Sequence, residues 1–146
     1  MADAVGKKLE LRVIAPTMAT DKNPYKFRKS VDMAIMRCTT GDMGILPGRM
    51  PVSMVLGTGV LRIFDEDTER HMAILGGVAH AADDVVTILS DAAFMPDEID
   101  AQKISEEIAE IRRLSDESAD LDEKQKYRED IYRMQIQLEV AETAGK

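Results

Sequence analysis

The chain of 146 residues has no tryptophan, two histidines and one cysteine, and aromatic residues make up only 4% of it. A single cysteine excludes an internal disulfide and any multi-cysteine metal site, so Cys38 is expected to be a small buried hydrophobe in a strand. His71 and His80 lie in or beside apolar β segments with no second ligand at metal spacing, which predicts solvated or satisfied strand histidines. No apolar run approaches the roughly 20 residues that a membrane span needs. The opening Met-Ala-Asp-Ala-Val-Gly-Lys-Lys lacks the apolar stretch of a signal peptide. The expectation is a soluble, cytoplasmic protein without direct membrane insertion. Catalytic patterns are lacking too. No serine sits in a Gly-x-Ser-x-Gly elbow, and Gly57-Thr58-Gly59 has neither the Lys-Ser/Thr end of a phosphate loop nor the frame of a dinucleotide fold. Asp65, Glu66, Asp67 and Glu69 match no calcium loop and predict a solvated hairpin turn. No catalytic residue, metal or cofactor is therefore expected.

What is present begins with methionine. Ten methionines join Leu, Ile and Val in filling an interior that aromatics cannot, and they make it pliable. The charge is divided unevenly. Residues 1–96 hold 12 acids and 11 bases, whereas residues 97–146 hold 15 acids and 8 bases, a net −1 against −7. Neither part has the basic excess that phosphate binding demands, which argues against nucleic acid as a partner. The break predicts two domains, 1–96 and 97–146.

The first domain reads as β. From Cys38 to Phe64, turn residues alternate with short apolar runs: Gly41, Gly44, Gly48, Gly57 and Gly59 allow positive φ, and Pro47 and Pro51 cannot donate to a ladder. Ile45-Leu46, Val52 to Leu56 and Val60 to Phe64 are then separate short strands. Before this stretch, Leu9, Leu11 and Val13 alternate with Glu10 and Arg12, and Pro16 ends that strand. Thr20 to Ser30, with Lys22, Lys26, Arg28 and Lys29, is expected to be an exposed excursion in which Tyr25 and Phe27 form a strand edge against the sandwich or a partner surface. Val31, Met33 and Ile35 alternate into a further strand. His71 to Leu75 pairs back, Gly76-Gly77 bends the chain, and Asp83-Asp84 closes a hairpin before Val85 to Leu89.

After Asp97 the apolar period changes from two to 3.6. Ile104, Ile108, Ile111 and Leu114 form one stripe, with Asp100 as N-cap, and Tyr127, Ile131, Met134, Leu138 and Ala141 form another. Ser115 to Asp120 supplies the loop of an antiparallel hairpin, whose stripe needs cover from the sandwich or a partner. The fold class is thus an all-β two-sheet sandwich (N-terminal) followed by an antiparallel α-helical hairpin (C-terminal). On periodicity alone, a free-standing β-sandwich adaptor or small-ligand-binding module fits equally.

Gly-Asp-Met-Gly-Ile-Leu-Pro-Gly-Arg-Met-Pro from Gly41, Leu-Gly-Thr-Gly-Val-Leu-Arg-Ile from Leu56, Ile-Leu-Gly-Gly-Val from Ile74, Val85 to Ala93 and Glu98-Ile99-Asp100 follow one another in an order and spacing that resembles the epsilon subunit of bacterial F-type ATP synthases. The resemblance covers nearly the whole chain. It implies a non-catalytic rotor subunit at the cytoplasmic face of the bacterial inner membrane, bound to the gamma subunit and resting on the c-ring. The matching c-ring contact is Asp42, Met43, Ile45, Pro47, Gly48 and Arg49, with Arg49 standing where the family usually has histidine. The hairpin of some members of the family also extends and blocks ATP hydrolysis, which makes Arg112, Arg113, Lys124, Lys126, Arg128 and Arg133 the bases of the regulatory helices. Of these, Lys124, Lys126, Arg128 and Arg133 would meet acidic loops on a neighbouring subunit, transiently alpha or beta. Its nucleotide motif is degraded here. Ile99, Asp100 and Arg133 stand, but Lys103 replaces arginine, Ile104 replaces alanine, Glu110 falls where a base is expected and Gln137 replaces another arginine, so little ATP affinity is implied.

Overall fold

The computed structural model describes residues 6–18, 22–49 and 51–145. Thr20, where the expected excursion begins, and the opening Met1 to Val5 lie outside them. Eight strands come first: β1 (Leu9–Ile14), β2 (Tyr25–Val31), β3 (Met33–Cys38), β4 (Gly41–Ile45), β5 (Val52–Asp65), β6 (Thr68–Ala82), β7 (Val85–Leu89) and β8 (Ala93–Phe94). Two helices follow, α1 (Ala101–Glu117) and α2 (Leu121–Ala141). Among the described residues, no helix of more than one turn interrupts the strands. Among them, too, no helix is long and apolar enough to cross a membrane.

The strands form one hydrogen-bonded network in the order β2-β1-β7-β6-β5-β3-β4, with β8 also pairing on β6. The two layers of the sandwich are continuous because β5 and β6 run through both. This corrects the expectation of short strands on either side of Gly57-Thr58-Gly59, for β5 is a single strand of 14 residues. The glycines serve close approach rather than termination. Between Ile35↔Arg62 and Cys38↔Leu56 the β3–β5 pairing shifts, and a Cβ on Gly59 would lie 2.5 Å from the Arg37 Cβ. Likewise β6 passes through Gly76 and Gly77, both at positive φ, where Ser90 is buried and its hydroxyl donates to the carbonyl of Gly76 at 2.7 Å. The hairpins at Glu66 and at Asp83-Asp84 are as expected, each with non-glycine residues at positive φ.

One apolar cluster lies between the layers, built from Leu9, Leu11 and Val13 of β1, Leu61 and Ile63 of β5, Met72 of β6 and Val86 and Ile88 of β7. Cys38 belongs to it, and burial, with a further push from Asp42, raises its thiol pKa, leaving a protonated hydrophobe. The expected phase of the next strand is wrong. Val31 ends β2, Asp32 turns the chain by accepting from the Glu66 amide at 2.6 Å, and β3 then buries Ala34, Met36 and Cys38 instead of Met33 and Ile35. In the segment read as an excursion, the expected strand edge on the sandwich is present from Tyr25 on, paired along β1 with Phe27 packed on the core.

Asp100 caps α1 as expected, its carboxylate accepting from the Lys103 amide at 3.2 Å. Helix α1 continues to Glu117, so the loop is only Ser118 to Asp120. In α2 the predicted stripe is half-buried, while the residues that vanish from solvent are Ile136 and Val140. At about 100° per residue these two stand on the opposite side of the helix. They pack with Ala73, Val60, Phe94 and Ile99. Four residues before Ile136, the Tyr132 hydroxyl donates to the Thr58 carbonyl at 3.3 Å. Helix α2 is therefore apolar on two sides, laying one on β5 and β6 and leaving the other for α1.

Candidate functional site

The family-like corner divides between two neighbourhoods. Asp42 is on β4, where its carboxylate takes the Arg37 Nε at 2.5 Å beside Tyr132 and Glu139 of α2, and this pairing raises the arginine pKa. Arg49 lies in the loop beyond the other end of that strand and approaches the Met43 sulfur at 3.5 Å. Between them Ile45 is 2% exposed and belongs to the core, so its side chain offers nothing to a partner. Leu46, at 57%, takes its place on the surface. Pro47 is half-buried, and Gly48, at φ +85°, gives its amide to the Asp84 carboxylate at 2.7 Å. The corner is thus braced against the β6–β7 turn, presenting Leu46 and Arg49 on a stiff support.

A second surface was not singled out from the sequence. Val55, Val78 and Leu89 face each other across β5, β6 and β7 and are 59%, 50% and 45% exposed. The register carries this row on to Ile14 and Tyr25, both half-buried. Beside it runs a polar row, Ser53, His80, Thr87 and Arg12, in which Ser53 Oγ and His80 Nδ1 are 2.9 Å apart. Val55, Val78 and Leu89 thus form a continuous exposed apolar row across the outer face of the sheet. Its sequence signal was an apolar residue at the outward parity of each strand, masked because the inward positions are apolar too. His80 is satisfied as predicted, but His71 is not. Its Nε2 is buried without a hydrogen bond, 3.6 Å from Glu69.

The degraded nucleotide motif comes together only in part. Ile99, Asp100, Lys103, Ile104 and Gln137 line one cleft of about 210 Å³ with Glu98 and Glu107. Arg133 is not in it; that side chain lines a different cavity, of about 370 Å³, with Arg128, Tyr132 and Thr58. The lining holds three carboxylates against one ammonium, and although Glu98 is paired with Lys26 from outside it, the acidic excess opposes a triphosphate by Coulomb repulsion, with the Asp100 carboxylate already engaged as the cap. Of the helix bases, Arg113 is tied to Glu110 and Glu117 on its own helix, a pairing that lowers the Glu110 pKa. Arg133 lies 3.9 Å from Asp130, and Arg112, Lys126 and Arg128 are exposed. Lys124 and Arg128 continue the Tyr132, Ile136, Val140 stripe by steps of four toward the tip of the hairpin.

Residues 9–96 match the model of the ATP synthase Delta/Epsilon chain beta-sandwich domain. The chain is 34% identical over 137 residues to the ATP synthase epsilon chain of Caldicellulosiruptor bescii, covering 92% of this chain and 94% of that one. It is 38% identical over 136 residues to the ATP synthase epsilon chain of Trichodesmium erythraeum, covering 91% and 95%. The fold matches a chain of the Euglena gracilis mitochondrial ATP synthase OSCP/F1/c-ring assembly with a TM-score of 0.64 at 24% identity, covering 97% of this chain and 84% of that one. A chain of the Tetrahymena thermophila mitochondrial ATP synthase central stalk and c-ring matches at 0.54 and 14% identity, covering 92% and 96%.

Proposed function

We propose, starting from a chain that belongs to the ATP synthase epsilon-chain family, that it is a non-catalytic rotor subunit joining the gamma subunit of the central stalk to the membrane c-ring. The observation that carries this reading is the outer apolar row Val55, Val78, Leu89, which is exposed in the free chain and suits a flat, permanent contact such as the gamma subunit would make. The braced corner at Leu46 to Arg49 supplies the second contact, toward the c-ring at the cytoplasmic face of the membrane. Torque passes between them through a rigid sandwich, which needs a packed core and no catalytic group. The two units divide the work at residues 96 and 97, the sandwich transmitting and the hairpin regulating ATP hydrolysis by leaving its docked position for the alpha and beta subunits.

Replacing Arg49 with Glu tests the c-ring contact. The side chain is exposed, so the isolated chain keeps its fold, while the hold on the ring falls by roughly threefold to tenfold and ion flow uncouples in step. Unchanged coupling in reconstituted enzyme that carries the variant in full removes the corner as the contact.

A further inference from the structure

The pairing between β1 and β2 is regular except at one point. Val13 faces Phe27 and Ile14 faces Tyr25, so Lys26 is an extra residue with no partner across the ladder. A bulge of this kind re-aims the side chain it carries. Lys26 is aimed at Glu98, 72 residues away, in the single 3-10 turn (Pro96–Glu98) that links the sandwich to α1. The pair is partly desolvated, with side chains 17% and 35% exposed. Glu98 also closes its own turn, accepting from the Met95 amide at 2.9 Å through its other carboxylate oxygen. The next two residues are committed to the hairpin: Ile99 packs with Ile136 and Val140, and Asp100 caps α1.

We propose that Lys26 and Glu98 form a latch on the hinge of the helical hairpin, so that the bulge in β2 sets how readily the hairpin leaves the sandwich. This rests on the reading of the hairpin as a regulatory part. The hairpin cannot swing without reorienting residues 95–100, and the ion pair fixes the middle of that segment to an edge strand. The contact it reinforces is small: among the described residues Ala73, Ile136 and Val140 are buried in it, so the loss of one partly buried pair shifts the balance.

The test is thiol labelling of Val140→Cys in a Cys38→Ala background of the full-length chain, because position 140 is fully covered when docked and reacts only when the hairpin opens. Lys26→Gln and Glu98→Gln, the latter keeping an oxygen for the Met95 amide, are each expected to speed labelling by about fivefold, and the double variant no more than either alone. Rates unchanged from the parent, or single effects that multiply in the double variant, overturn the latch. The readout needs no partner, so it is separable from the regulatory reading. That reading falls if deleting residues after Asp97 leaves ATP hydrolysis of the assembled enzyme unaltered, an outcome the labelling rates do not touch.

Discussion

Gly77→Ala is expected to be among the most damaging single-methyl additions in the sandwich. The residue has φ +128°, and an added Cβ would meet the Leu89 carbonyl oxygen at 2.1 Å and the Ser90 Cα at 2.8 Å. L side chains rarely adopt that backbone conformation. Neither atom can give way. Leu89 is paired with Val78, and Ser90 is buried with its hydroxyl donating to the Gly76 carbonyl and accepting from the Ala92 amide. Backbone strain and overpacking together are expected to cost about 4 kcal/mol, and roughly 8 °C or more of Tm for a chain of this size. Gly48→Ala is the control, because it has φ +85° but nothing within 4 Å of the new Cβ. Its cost should stay at about 1 kcal/mol. Denaturant unfolding of both variants decides the matter. A Gly77→Ala chain as stable as Gly48→Ala would mean that β7 does not cross the β6 bend so closely.

Val140→Asp is expected to free the hairpin while leaving the sandwich folded. Val140 is 0% exposed and belongs to the small cluster with Ala73 and Ile136, which is separate from the cluster between the sandwich layers. A carboxylate there would lose its hydration without gaining a cation, a cost of several kcal/mol. Undocking avoids that cost, so the docked fraction should fall by two orders of magnitude or more. Once released, helices of this length are marginal on their own. Hydrogen exchange should therefore report loss of protection throughout 101–141 with that of 9–94 retained. Protection retained in both parts would place the docking energy elsewhere, and loss in both would make the two parts one cooperative unit.

The class of fold and the existence of each helix were legible because periodicity is a local property. Leu9, Leu11 and Val13 alternate whether or not a partner strand is known, and Asp100 announces a helix start by its own chemistry. The misjudged points are those that long-range contact decides. Gly57 to Gly59 look like breaks in the sequence, but their role is to let β3 lie close, which depends on Arg37. The phase of β3 turns on a bond from Asp32 to an amide 34 residues on. The docking side of α2 was hidden because the helix is apolar on two opposite sides, and the α1-facing stripe has the longer run of matching positions. At the candidate site, the corner motif marked the turn but not which of its side chains reach solvent. Only burial shows that Ile45 faces inward and Leu46 outward.

If the outer row of the sandwich seats the gamma subunit, the affinity of the purified chain for a long coiled-coil gamma partner should depend on Val78, and measuring it for the parent and for Val78→Glu decides the question. Half-exposed at the centre of the row, Val78 can take glutamate without disturbing the free fold, and the same charge buried in a contact is ruinous. The parent is expected to form a one-to-one complex, and the variant to bind about a hundredfold or more weakly. A chain that stays monomeric beside gamma, or a Val78→Glu chain that binds it as the parent does, would contradict that seating.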